Sequence, residues 1–388
     1  MNNLVIDIKN ISKDYLDQNN TVDLKELIDY TLLILKELYD KKFYKKNIYP
    51  EFIKQIICRC NIEQYGLNYN NFIVKDRSKT FQKLREIPYI EQRTPEWFKI
   101  KEESIGASES AAIFGKSPFS SENKLLLKKC GHRPPNSQQM NIACMHGTKF
   151  EPIVQLQYEV STNSKLEEFG SLKHNKLSMV SASPDGITTK GIAIEIKVPH
   201  KRVITGIPPI YYWYQMQQQL QVCNLDRVDF VECKISEYLN RNEFLADILD
   251  NNNKNIPKTR ENLPKNVILE YHKLNTTPCE VGWIYPESFL DIDKIDPWLK
   301  NQMEKINKSD DKLYCRTIYY RIGEYSVCEV WRDDQWWEEN KIKFIEFWEK
   351  VEKYRKEGYE SLIKPKKTVQ RKKKVPKCMI LSETSSED

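Results

Sequence analysis

The stretch Ser183-Pro184-Asp185-Gly186-Ile187-Thr188-Thr189-Lys190-Gly191-Ile192-Ala193-Ile194-Glu195-Ile196-Lys197-Val198 decides the fold. From Ile192 to Val198 the aliphatic residues Ile192, Ile194, Ile196 and Val198 alternate with Ala193, Glu195 and Lys197. Side chains of a strand point alternately to its two faces, so the aliphatic set shares one face and Glu195 and Lys197 share the other. Pro184-Asp185-Gly186 is turn chemistry at the head of the same hairpin, which places Asp185 beside Glu195 across the ladder. Two carboxylates and an ammonium group then converge, the set that phosphodiester hydrolysis needs. A divalent cation must neutralise phosphoryl oxygens and acidify a bound water. Hard Mg²⁺, with Mn²⁺ as a substitute, prefers oxygen ligands: Asp185, Glu195 and a backbone carbonyl such as that of Ile196. Lys197 hydrogen-bonds the attacking water and offsets transition-state charge. Taken alone, a Glu-x-Lys strand also fits a solvated hairpin with an exposed ion pair.

Working outward, the residues around this strand alternate between helical and extended patterns, which predicts a mixed α/β core. Helices are expected near Ser108–Phe114, from about Thr148 to Val160 and from Pro209 to Val222, with a strand near Ser178–Ser183. Residues 1–90 read as a helical accessory region in which Leu24, Ile28, Leu32, Leu35 and Leu38 form one apolar face. Tyr65 to Asn71 breaks that pattern. Residues 91–236 form the catalytic core and 237–358 a C-terminal elaboration. The latter contains apolar runs at Val267–Tyr271 and Val281–Tyr285, a hairpin from Thr317 to Val330, and a closing helix whose stripe Ile342, Ile345, Trp348 and Val351 packs into the core. Residues 359–388 form a disordered tail, first basic and then acidic, that serves as a phosphate grip, a nuclear-import signal or a solvated charge run.

The chain of 388 residues is 40% hydrophobic, enough to bury a sizeable core, and its net charge of +6 permits a polyanionic partner without demanding one. The ten cysteines show no Cys-x-x-Cys pair with zinc spacing, which predicts reduced, structural thiols. Cys223 and Cys233 lack the partners that an iron–sulfur cluster requires. With no long apolar run and no charged-then-apolar leader, the expectation is a soluble intracellular protein with no membrane partner.

Several motifs in order resemble the PD-(D/E)xK nuclease superfamily, and more closely the phage lambda exonuclease and YqaJ-type viral recombinase family, over roughly Arg93 to Ile235. Trp97-Phe98-Lys99-Ile100-Lys101 with Ile105-Gly106-Ala107-Ser108 is similar to the family's opening block. The resemblance implies that Lys101 and Ser108 hold a terminal 5′ phosphate, although lysine offers a point charge where arginine offers a planar fork. His146-Gly147-Thr148-Lys149-Phe150-Glu151-Pro152 resembles the block that supplies another acid, Glu151, to the metal site. Pro152 is read as lying in the first helical turn, and His146 as structural. Asp185, Glu195 and Lys197 match the family's metal-binding acids and lysine. Gln215, in Tyr211-Tyr212-Trp213-Tyr214-Gln215-Met216-Gln217-Gln218-Gln219-Leu220, matches the glutamine that contacts the active site. Lys201 and Arg202, at the exit of the catalytic strand, are candidates for backbone phosphates.

The resemblance implies a restriction-endonuclease-like three-layer α/β core with a mixed central sheet, an N-terminal helical extension and a C-terminal strand and helix elaboration. It further implies 5′ to 3′ digestion of double-stranded DNA in viral-type recombination or replication. A single-strand annealing protein and a ring-shaped homo-oligomer follow on the same grounds, and the location is the host cytoplasm or nucleus if the chain is viral. The alternatives are an endonuclease or repair nuclease on the same core, and a catalytically inactive DNA-binding relative. RNA also remains open as a substrate.

Overall fold

The computed structural model describes residues 2–19, 24–38, 48–61, 76–91, 94–132, 142–247, 255–276 and 280–363. The Asn-rich break at Tyr65–Asn71, Gln92, Arg93 and the basic run from Lys364 onward lie outside them.

In chain order come α1 (Asn2–Gln18), α2 (Leu24–Leu38), α3 (Pro50–Asn61), α4 (Ser78–Arg85), α5 (Pro95–Glu102), β1 (Ile105–Gly106), α6 (Ser110–Ile113), α7 (Glu122–Lys129), α8 (Ile142–Thr162) and β2 (Leu166–Glu167). There follow β3 (Leu172–Lys173), β4 (Val180–Ala182), β5 (Gly186–Thr188), β6 (Ala193–Lys197), α9 (Ile210–Cys223), β7 (Arg227–Glu237) and α10 (Arg241–Ala246). The chain continues through β8 (Lys265–Lys273), β9 (Glu280–Ile284), α11 (Ile292–Asn307), β10 (Lys312–Trp331) and α12 (Asp334–Glu357). Among the described residues, seven strands form one mixed sheet in the order β2-β5-β6-β7-β10-β8-β9, and β1-β4-β3 form a small second sheet. Only β6 and β7 pair in parallel within the large sheet, and α9 lies in the connection between them.

The alternation in β6 separates the two layers. Ile194, Ile196 and Val198 pack with Phe150, Ile153, Val154 and Tyr158 of α8. Ala193 packs into the opposite cluster with Trp213, Met216 and Leu220 of α9. The sheet is therefore covered on both faces, and anything Glu195 touches comes from the α9 side. The β5–β6 reversal is made by Thr189-Lys190-Gly191, where Gly191 has φ +77° and the Ile192 carbonyl accepts from Thr188 N–H. Pro184-Asp185-Gly186 stands at the open end of this hairpin and not at its turn.

Four local expectations are corrected. Helix α8 begins at Ile142, so Pro152 is interior and removes the donor that the Thr148 carbonyl would receive. That costs a helix about 3 kcal/mol, a loss that burial of Phe150, Ile153, Val154 and Tyr158 offsets. The expected hairpin from Thr317 to Val330 is part of one 20-residue strand, β10. It pairs with β8 through Lys312–Arg321 and with β7 through Tyr320–Trp331. The register shifts between Ile322 and Tyr325, and Gly323 has no positive φ, so the glycine serves a bulge instead of a reversal.

The other two corrections concern helix faces. In α2 the buried set is Leu27, Ile28, Thr31 and Leu35, while Leu38 is exposed. In α12 it is Trp336, Trp337, Phe344, Phe347 and Val351, with Ile342 exposed. There the aromatic residues determine which face turns inward, because Trp336 and Phe344 both meet the ring of Phe114, and Trp336 also meets Trp213. The N-terminal helices are tied to the sheet through α3. Gln55 donates to the Trp331 carbonyl over 2.9 Å, and Lys54 pairs with Asp333 at 2.9 Å.

Candidate active site

Gly186 and Ile194 are register partners, which sets Asp185 opposite Glu195 at the mouth of the β5–β6 hairpin. Two main-chain bonds fix Asp185: its N–H donates to the Ile194 carbonyl over 3.2 Å, and its Oδ2 accepts the Ile196 N–H over 2.7 Å. Glu195, fully buried, is held from α9. Gln215 Nε2 donates to Oε1 and Gln219 Nε2 to Oε2, each over 2.6 Å. Lys197 pairs with the same Oε1 and lies 5.1 Å from the centre of the Tyr212 ring.

The electrostatics follow from this crowding. Burial, and then the charge of Glu195, pushes the Asp185 carboxyl well above the ordinary range; Lys197 opposes that and Glu151 reinforces it. For Lys197, burial favours the neutral amine, but Glu195 and then Asp185 outweigh it and keep the ammonium charged beyond its usual range. Two acids thus crowd one ammonium group, and the raised Asp185 carboxyl reflects a repulsion that a divalent ion would relieve. The donors are hard oxygens, as Mg²⁺ prefers, and one or two carboxylates suffice for it. Among the described residues no three His, Cys, Asp or Glu side chains converge into a metal cage. Glu151 therefore influences the pair electrostatically without completing such a cage.

An open groove of about 1100 Å³ has Ser108, Glu151, Lys197, Lys201, Arg202 and Gln215 on its wall; Asp185 and Glu195 are not on it, and Glu195 adjoins it through its contacts with Lys197 and Gln215. Ile196 reaches the same wall. Arg202 pairs with the buried Glu232 and lies 5.8 Å from the centre of the Tyr212 ring. Lys101 is the expected contact that the fold places elsewhere: its ammonium sits 4.1 Å from the centre of the Trp97 ring, and it is not on the groove wall. Gln215, expected to contact the active site, donates its amide to Glu195. His146 packs against the rings of Phe150 and His200, as a structural histidine would.

Three contributors were not singled out from the sequence. Gln219 follows Gln215 by four residues, and that helical spacing places both on one face. Tyr212 stood unassigned in the aromatic run. Glu232 is the register partner of Lys197 on β7, a proximity that appears only once the parallel crossover is known.

Residues 96–226 match the family model described as the YqaJ-like viral recombinase domain. The chain is 27% identical over 371 residues to an uncharacterized protein of Acanthamoeba polyphaga mimivirus, an alignment covering 87% of this chain and 62% of that protein. The chain thus spans less than two thirds of that relative. Among solved structures, an alkaline exonuclease from Laribacter hongkongensis is similar with a TM-score of 0.41 and 20% identity, covering 68% of this chain and 95% of that one. A phage related exonuclease from Haemophilus somnus 129PT is similar with a TM-score of 0.33 and 13% identity, covering 66% and 94%. The residues that this model matches include Glu151, Asp185, Glu195, Lys197 and Gln215, so the stretch that carries the site is similar to the YqaJ-like viral recombinase domain.

Proposed function

We propose that the chain is a metal-dependent exonuclease that hydrolyses phosphodiester bonds of double-stranded DNA from 5′ to 3′, in viral-type recombination or replication. The observation that carries this reading is the pair Asp185–Glu195 beside Lys197, which stands on the wall of a groove that also holds Lys201 and Arg202. Asp185 and Glu195, with the Ile196 carbonyl, would hold Mg²⁺ or, in its place, Mn²⁺, and Glu151 would act on the ion through its charge. Such an ion, when bound, neutralises phosphoryl oxygens and acidifies water. Lys197 presents a fixed positive charge to the attacked phosphate and stabilises the charge that develops there. Gln215 and Gln219 orient Glu195 so that the acid does not turn away from the groove. Ser108, Lys201 and Arg202 meet the substrate backbone, contacts that position DNA without reading its sequence.

The same reading extends to a single-strand annealing partner, a homo-oligomer, and work in the cytoplasm or nucleus of a host. The position of Lys101 on Trp97, away from the groove wall, favours a second reading, an endonuclease on the same core that does not grip a terminal phosphate.

One assay tests both readings. Wild type and Lys197→Ala are compared on 5′-phosphorylated linear duplex and on closed circular DNA with Mg²⁺. The expected result is digestion of the linear substrate only, falling about 10³-fold in the variant, equivalent to about 4 kcal/mol of transition-state stabilisation. Efficient cutting of the circle supports the endonuclease, and undiminished activity in Lys197→Ala overturns the catalytic assignment.

A further inference from the structure

Helix α8 carries Glu151 and then Pro152. Because proline lacks an N–H and its ring crowds the preceding turn, residues 148 to 152 form the weakest turn of this helix. Its supports come from beyond residue 226. Tyr285, directly after β9, donates its hydroxyl to the Lys149 carbonyl over 2.8 Å. The Lys149 ammonium pairs with Glu237 at the end of β7, and Arg316 of β10 holds the same Glu237 at 2.9 Å. Arg316 also meets Glu270 of β8 at 2.9 Å, and Glu270 accepts the Trp283 indole N–H of β9 over 2.9 Å. The C-terminal strands thereby grip α8 two residues before Glu151. Tyr285 packs, half-buried, against the cluster that contains Phe150, Ile153 and Val154. Its phenol is raised by burial and next by the charge of Glu151, so the two lie within electrostatic reach.

We infer that Tyr285 is a positioning residue: its hydroxyl fixes the proline-weakened turn of α8 and so sets where Glu151 stands relative to Asp185 and Glu195. This rests on the nuclease reading and adds to it that residues 96–226 do not hold the site in working geometry by themselves.

The test is a calorimetric Mn²⁺ titration of the full chain as wild type, Tyr285→Phe, Glu151→Gln and the double variant. Phenylalanine keeps the ring and its packing, so only the hydroxyl is removed. Tyr285→Phe is expected to weaken Mn²⁺ binding about fivefold, the scale of one hydrogen bond. Its melting temperature should fall by no more than about 1–2 °C, its DNA affinity without metal should be unchanged, and the double variant should bind no more weakly than Glu151→Gln. Wild-type affinity in Tyr285→Phe overturns the inference, as does an equal fivefold loss when the change is added to Glu151→Gln. Failure of the wild type itself to bind Mn²⁺ overturns the metal-site reading and this inference together.

Discussion

Two buried acids on neighbouring strands face opposite layers of the same sheet, and their surroundings differ in one respect. Asp229 of β7, on the α8 side, receives Arg227 on both oxygens at 2.6 and 2.9 Å, and Oδ2 also accepts the Tyr158 hydroxyl over 2.8 Å. Both oxygens of Asp229 are occupied, and the same guanidinium also meets Glu329, a third exposed, at 2.8 Å. Glu195 of β6, on the α9 side, is as well supplied with donors but shares its single lysine with Asp185. The extra carboxylate at the first site, Glu329, faces solvent, whereas at the second both acids crowd one lysine and repel each other enough to raise the Asp185 carboxyl. Buried charge that is matched holds a fold together, and buried acids that repel each other mark where a cation or a phosphate-bearing substrate enters.

The sharpest way to break this comparison is to remove the crowding. Asp185→Asn keeps an oxygen for the Ile196 N–H and relieves the repulsion with Glu195. Nuclease activity should fall about 10³-fold, or about 4 kcal/mol, while the melting temperature stays level or rises. A variant that melts markedly lower would show that Asp185 supports the fold and would end the contrast with Asp229. The reciprocal change, Asp229→Ala, takes two hydrogen bonds from Arg227 and the acceptor from the Tyr158 hydroxyl. Its predicted cost is about 3 kcal/mol of stability, the low end for breaking a buried pair because Arg227 keeps Glu329 at 2.8 Å. Chemical denaturation measures that cost, and turnover per folded molecule should not change.

The contrast also explains what was legible in the sequence. Asp185, Glu195 and Lys197 could be read because strand period and turn spacing are local: a hairpin with a short turn leaves little freedom over where residue 185 falls opposite residue 195. The proline at 152 was misread because local rules place proline at helix starts, whereas α8 buries enough apolar surface to carry it inside. The segment from Thr317 to Val330 reads as a hairpin, but β10 finds partners in both β7 and β8 and runs straight through. The seam of α12 was displaced because large rings took the inward face in place of Ile342. Glu232 and Tyr285 were invisible for another reason. Their roles depend on which strands become neighbours, and a parallel crossover and a C-terminal addition to the sheet leave no local periodic mark.

Lys265 of β8 offers the same comparison with the sign reversed and the smallest expected effect. Fully buried, it donates to the carbonyls of Phe244 and Asp247 and lies 4.3 Å from the centre of the Phe244 ring. Burial pulls its pKa down to about 8, with Asp247 opposing. In the unfolded chain a lysine titrates near about 10.4, so between those values the unfolded state binds more protons than the folded one. Stability therefore rises with pH across that window, and the gain is lost again as pH falls through the lower value. Tyrosines and other lysines titrate in the same range, so the informative quantity is the difference between wild type and Lys265→Met. The wild type should gain about 1–2 °C in melting temperature relative to the variant between pH 8 and pH 10, a small shift because a chain of this size spreads a given free energy over a large unfolding entropy. Parallel pH dependence in the two proteins would mean that carbonyl donation and the aromatic face already satisfy the charged amine. Matched charge would then not be the only way this sheet stabilises a buried ion.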